Sequence, residues 1–147
     1  MTLDGDYEPS QWKWVRDQVE LYESTGGREG NVLQGRADWP IVVITSRGLT
    51  SGKLRKNPVM RVEHDGVYAA VASKGGTPED PAWVANFRAD PRVVLQDGPG
   101  PHDYLAREAE GDERAEWWER AVAVYSPYAE YQEKTDRVIP VFLLERV

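Results

Sequence analysis

Cysteine is absent from the 147 residues, which excludes disulfides, thiolate nucleophiles and cysteine-held zinc or iron–sulfur clusters. Histidine is nearly absent: His64 and His102 lie far apart and neither belongs to a paired metal-ligand pattern, so no histidine-rich metal site is expected. Cations are in deficit, 18 Lys and Arg against 25 Asp and Glu, leaving a formal charge of −7. A nucleic-acid partner, which needs a cationic face, is therefore not expected. No apolar run approaches the roughly 20 residues that span a bilayer. The acidic, polar opening, residues 1–10, does not read as a signal peptide, so the expectation is a cytoplasmic protein. Gly48-Leu49-Thr50-Ser51-Gly52-Lys53 falls one residue short of a nucleotide-binding phosphate loop, and Leu54 stands where a magnesium-binding Ser or Thr belongs. A dinucleotide fingerprint and a serine-hydrolase elbow are also missing.

Aromatic residues are present in quantity, with six Trp and seven Tyr in a chain that is 40% hydrophobic, enough for the core of one domain over residues 1–147. Trp12, Val15, Val19 and Tyr22 recur at helical spacing, and Ser10 is placed to cap that helix. Glycines at 26, 27, 30 and 35 then open a loop. Ile41 to Thr45, all apolar or β-branched, predicts a strand buried on both faces. Residues 46–57 read as a polar connection. Val59–His64 and Val67–Ser73 predict a hairpin turning at Asp65-Gly66. A short helix over 82–89 and strands at 92–96 and 102–109 follow. Next come a helix capped by Asp112, with Ala115, Trp118 or Trp117, Val122 and Tyr125 inward, and a second helix from Pro127. A last strand runs over 138–144, with Pro140 near its start. About six strands without regular βαβ alternation predict a mainly β, α+β fold, an antiparallel barrel with attached helices.

Three groups of residues carry chemistry. Arg47, Lys53, Arg55 and Lys56 place four cations within ten residues beside glycines, an anion-binding pattern hidden by the negative total. A solvated strand connection has the same composition. Ala72-Ser73-Lys74-Gly75-Gly76 brings a hydroxyl, an ammonium and a flexible backbone to a strand end, or forms a plain turn. Tyr125, Tyr128 and Tyr131, in steps of three, suit either core packing or the wall of a pocket for a planar ligand, and Trp83 with Asn86 has the same double meaning.

From about Pro40 to Pro140 the chain resembles the deazaflavin-dependent nitroreductase family, split β-barrel proteins that use coenzyme F-420. The resemblance rests on five motifs in order: residues 45–58, Ala72–Gly76, Pro81-Ala82-Trp83 with Asn86, Asp90-Pro91-Arg92-Val93, and Thr135-Asp136-Arg137 with Ile139-Pro140. It implies a split antiparallel barrel over residues 40–147, with residues 1–39 as an appended helix and loop, and a tendency to form homodimers. It implies that residues 51–58 hold the phosphate and polyglutamate tail of the coenzyme, with Lys53 and Arg55 as the main tail binders, Ser51, Gly52 and Pro58 in contact, and Asn57 and Lys56 weaker candidates. Ala72, Ser73 and Lys74 would lie beside the deazaflavin ring, supported by Trp83 and Asn86. Tyr125, Tyr128 and Tyr131 would line the substrate side. The chain departs from the family pattern at Thr50, often basic in relatives, and at Met60, often aromatic, which reshapes the coenzyme and substrate contacts.

The activity so implied is hydride transfer from the reduced deazaflavin to an electron-poor acceptor, a quinone by preference and nitroimidazoles as a side activity. Ser73 and one of the three tyrosines would donate a hydrogen bond to the charge left on the acceptor. A phenol, with an ordinary pKa of about 10, suits orientation better than proton donation. Related split barrels bind FMN, so an FMN oxidoreductase or a non-catalytic ligand carrier are the alternatives. Trp12, Trp14, Val15 and Val19 could cover the acceptor pocket or rest on a membrane surface, with packing onto the barrel preferred.

Overall fold

The computed structural model describes residues 3–147; Met1 and Thr2 of the acidic opening lie outside them. Seven strands form one antiparallel sheet: β1 Ile41–Arg47, β2 Leu54–Met60, β3 Val62–His64, β4 Val67–Val71, β5 Arg92–Gln96, β6 Pro101–Glu108 and β7 Val141–Arg146. Four α-helices accompany them: α1 Lys13–Ser24, α2 Ala82–Ala89, α3 Gly111–Val124 and α4 Pro127–Glu133. The strand order is β2-β1-β5-β6-β7-β4-β3. Its two edge strands, β2 and β3, are consecutive in the chain and separated only by Arg61, so one bent segment supplies both edges and the sheet curls into a split barrel. Among the described residues no helix is long and apolar enough to cross a membrane.

Alternation along the inner strands divides the core in two. Ile41 and Val43, Ala69 and Val71, Val141 and Leu143 point to one side, where they meet Val15, Val19 and Tyr22 of α1 and Trp117 and Ala121 of α3. Val42 and Ile44, Ala70 and Ala72, Phe142 and Leu144 point to the other, against Trp83, Val84 and Phe87 of α2. That is why β1 is apolar without a break from Ile41 to Ile44. The Tyr22 hydroxyl fixes α1 to the barrel, donating to the Gln96 carbonyl at 3.1 Å and accepting from Gly98 N–H at 2.7 Å.

The expected six strands are seven, because half of the polar stretch read as a connection is sheet and the expected strand over 59–64 is divided at Arg61 between β2 and β3. β1 continues to Arg47 and β2 begins at Leu54, paired from Arg47↔Leu54 to Ile41↔Met60. β2 is an edge strand, where charge and Pro58 are tolerated. Part of its free side is covered by the N-terminal segment: Leu54 N–H donates to the Asp6 carbonyl and Glu8 N–H to the Leu54 carbonyl. The Asp65-Gly66 hairpin forms as expected, both residues at positive φ. Neither expected cap holds. Trp12 and Glu110 occupy the N-cap positions, with Ser10 two residues earlier, accepting from Trp12 N–H, and Asp112 already inside the first turn of α3. On α3 it is Trp117, not Trp118, that is buried with Ala121.

Candidate active site

A cavity of about 420 Å³ opens between the barrel and the helices, within the range of small-molecule sites. One wall is sheet: Ile41 of β1, Pro58, Val59 and Met60 of β2, and Val71 of β4. The turn after β4 supplies Ser73, Lys74 and Gly75, the entry to α2 supplies Pro81 and Trp83, and the far side is Tyr125, Tyr128 and Tyr131. Trp14 and Gln18 of α1, with Leu33, close the remaining edge. Eight of the expected site residues therefore share one cavity: Pro58, Met60, Ser73, Lys74, Trp83, Tyr125, Tyr128 and Tyr131.

The tyrosines arrive from two elements rather than one helical face. Tyr125 is the C-terminal cap of α3, while Tyr128 and Tyr131 stand on α4, which Pro127 starts at its first position. Their rings nevertheless pack together, 4.9 Å between Tyr125 and Tyr128 and 6.1 Å between Tyr125 and Tyr131. The Tyr125 and Tyr131 hydroxyls are 3.0 Å apart. Burial, reinforced by that hydrogen bond, pushes the Tyr125 phenol up to about 12. Burial raises Tyr128 well above the ordinary phenol range, and its hydroxyl makes no hydrogen bond to any described residue. At neutral pH the Tyr125 and Tyr128 phenols therefore stay protonated and suit hydrogen-bond donation rather than acid catalysis.

The turn carrying Ser73 is tight. Lys74, Gly75 and Gly76 all have positive φ, and Gly76 lies so close to α4 that a Cβ there would sit 2.6 Å from the Tyr131 carbonyl oxygen. Ser73 is nine-tenths buried, with its hydroxyl unpaired among the described residues. The Lys74 ammonium reaches only Glu79, at 3.9 Å.

The remaining expected residues lie outside the cavity. Ser51, Gly52 and Lys53 form the β1–β2 turn, and Arg55 and Asn57 sit on β2 between that turn and the cavity wall. Ala72 is buried in the second core. Asn86 serves the turn rather than the cavity, its side-chain carbonyl accepting from Leu49 N–H at 2.9 Å. Of the four cations, Arg47 is occupied with structure, donating to the Gly52 and Asp4 carbonyls and lying 3.6 Å from Asp90. Arg55 pairs with Glu8 at 3.1 Å and Lys56 with Glu23 at 2.6 Å. Lys53 makes no ion pair with any described residue.

A curled antiparallel barrel, an aromatic cavity and a cationic hairpin reached along one strand agree with what comparison finds. The model of a family described as F420H(2)-dependent quinone reductase matches residues 14–146. The chain belongs to that family. An F420H(2)-dependent quinone reductase of Mycobacterium tuberculosis is 30% identical over 129 residues, 86% of this chain and 85% of that protein. The solved structure of an F420-H2 dependent reductase, FDR-A, shares 57% identity and a TM-score of 0.69 over 72% of this chain and 94% of its own. A second solved structure, a domain-swapped dimer, shares 51% identity and a TM-score of 0.71 over 92% of this chain and the whole of its own.

In this member of the quinone reductase family, several lining residues have no signal of their own in the sequence. Ile41, Val59 and Val71 read as strand core, and Leu33 as loop. Gln18 is a polar residue on an amphipathic helix, where its amide binds the Gly30 and Val32 carbonyls and draws the glycine-rich loop against the cavity. Trp14 remains 59% exposed while lining the opening. Only its place beside Trp12 at the helix start pointed there.

Proposed function

We propose that this chain is a quinone reductase that takes its hydride from reduced coenzyme F-420. The observation that carries the reading is the convergence of Ser73, Trp83 and three tyrosines on one aromatic cavity whose β2 wall continues into a cationic hairpin. The residues present fit the coenzyme. The apolar wall of Ile41, Met60, Val71 and Trp83 suits a planar ring. From Pro58 back to Leu54 the strand runs about 13 Å, a path for an anionic tail ending at Lys53. Ser51, Gly52, Lys53, Arg55, Asn57 and Pro58 would hold that tail, and Met60, Ala72, Ser73, Lys74, Trp83 and Asn86 the ring or its supports. When bound, the reduced deazaflavin supplies the hydride.

The protein's own residues orient the acceptor and exclude water. Ser73 and one of the Tyr125, Tyr128 and Tyr131 hydroxyls donate hydrogen bonds toward the oxygen on which negative charge develops. Because burial raises the Tyr125 and Tyr128 phenols, the proton that completes the hydroquinone comes from solvent. The same cavity would accept nitroimidazoles as side substrates. Residues 1–39 and 40–147 act as one domain in this reading, since α1 shares a core with the barrel and its Trp14 shapes the opening. The domain-swapped relative supports pairing of two copies. Trp12 and Trp14, 61% and 59% exposed at the start of α1, support peripheral contact of a cytoplasmic protein with a lipid surface, tested by liposome sedimentation with and without residues 1–25.

A fluorescence titration with coenzyme F-420 beside FMN, followed by oxidation of the reduced coenzyme with menadione, tests the assignment. Selective deazaflavin binding and menadione-dependent oxidation are expected. Binding of FMN alone, or of neither, removes the assignment.

A further inference from the structure

One side chain to which the reading above assigns no role joins the Ser73 turn to the tyrosine helix. Arg137, between α4 and β7, is 16% exposed and donates four hydrogen bonds. Its Nη1 reaches the Ala72 carbonyl at 3.1 Å and Asp80 Oδ1 at 2.8 Å, its Nη2 the Ser73 carbonyl at 2.7 Å, and its Nε the Thr77 carbonyl at 2.9 Å. Its own carbonyl accepts from the Gln132 amide of α4 at 2.7 Å, and the Gln132 side-chain oxygen accepts from Ile139 N–H at 3.0 Å. The guanidinium thus grips both ends of the turn while the Arg137 backbone is tied to the helix bearing Tyr128 and Tyr131.

The turn is one that needs holding. Lys74 adopts a φ of 44°, uncommon for a residue with a side chain, and is followed by Gly75 at 66° and Gly76 at 79°. Such backbone persists where its surroundings over-determine it. The Ser73 hydroxyl has no partner among the described residues, so its direction follows from the backbone that Arg137 fixes. We propose that Arg137 is a positioning residue for the reduction, acting through Ser73 by clamping the Ala72, Ser73 and Thr77 carbonyls. A lysine supplies the charge facing Asp80 without the planar fork that reaches three carbonyls. The proposal rests on the reading of Ser73 as a hydrogen-bond donor to the acceptor.

The test measures kcat and KM for menadione, and coenzyme affinity, in Arg137→Lys, Ser73→Ala and the double variant, with melting temperature as the check on folding. Arg137→Lys is expected to lower kcat roughly ten- to hundredfold, with coenzyme Kd changed by no more than about twofold and Ser73→Ala lowering kcat comparably. The double variant is expected to be no slower than Ser73→Ala, because both changes remove the same interaction. Losses that multiply in the double variant, or a wild-type kcat in Arg137→Lys, overturn the proposal while leaving the Ser73 reading intact. A wild-type kcat in Ser73→Ala overturns that reading and the proposal with it. In Arg137→Ala, millimolar guanidinium is expected to restore part of kcat and to leave Ser73→Ala unchanged; an equal response of the two variants overturns the clamp.

Discussion

Gly76 and Gly75 are neighbours with similar backbone and opposite surroundings, which makes the pair a controlled experiment on how closely the Ser73 turn meets α4. Both have positive φ, 79° and 66°, so alanine at either costs about 1–2 kcal/mol for the left-handed conformation alone. At Gly75 nothing lies within 4 Å of the added Cβ, and that conformational cost is the whole effect. At Gly76 the Cβ would meet the Tyr131 carbonyl oxygen at 2.6 Å, the Tyr131 Cα at 2.9 Å and the Lys134 Cβ at 3.2 Å. Two of those atoms are backbone and cannot rotate away, so α4 must move. Overpacking of this kind adds about 1–3 kcal/mol, for a total of about 2–5 kcal/mol. Urea unfolding of Gly75→Ala and Gly76→Ala should therefore separate the two by about 1–3 kcal/mol. The near-ultraviolet dichroism of the tyrosine cluster should change only in Gly76→Ala. Equal destabilisation of the two variants would refute the close approach of turn and helix.

Lys53→Ala is expected to weaken coenzyme binding by about 1.5–3 kcal/mol, the range for a hydrogen bond to a charged group, and Arg55→Ala by less than half of that, because its gain on binding is offset by giving up Glu8. Equal losses in a fluorescence titration would contradict the pairing. Tyr128→Phe removes a hydroxyl without a partner in the fold, so stability in urea should stay within about 1 kcal/mol while menadione turnover falls; a large loss of stability would point to an interaction that the geometry lacks. The raised Tyr125 and Tyr128 phenols make stability sensitive to alkali. The unfolded chain releases phenolic protons from about pH 10 while the folded one retains them. Their contribution is therefore complete below that pH and falls above it by about 1.4 kcal/mol per pH unit for each group. Melting temperatures from pH 8 to 12 should show a shallower alkaline fall in Tyr125→Phe, and an unchanged slope would remove burial as the cause.

Much of the barrel is legible residue by residue, because strands buried on both faces leave continuous apolar runs such as Ile41 to Ile44 and hairpins leave pairs such as Asp65-Gly66. β2 is illegible for the opposite reason. An edge strand gains its order from one neighbour, tolerates Arg55, Lys56 and Pro58, and so looks like a loop in isolation. The inward face of α3 is ambiguous in the sequence between Trp118 and Trp117, because two adjacent tryptophans fit the same period and only docking selects Trp117. The tyrosine cluster is visible as a spacing, yet the three residues share a cavity through the break at Ser126-Pro127 rather than along a single helix. Asn86 looks like a ligand-facing polar residue, and its bond to Leu49 N–H depends on a tertiary approach that no local pattern encodes. The pairing of Arg55 and Lys56 with Glu8 and Glu23 crosses 47 and 33 positions of sequence and is invisible in charge counts.

The bend at Arg61 sets the length tolerance of the barrel. Met60 is paired with Ile41 on one edge of the sheet and Val62 with Ala69 on the other, so a single residue divides two registers that belong to opposite margins. Inserting or deleting one residue there would leave one margin in step and shift the other by one position, which in a strand exchanges inward for outward side chains. Val62 would then turn from the core toward water and Glu63 toward the core. Evolution of this scaffold can therefore lengthen its hairpin tips, such as residues 48–53, far more freely than its corner.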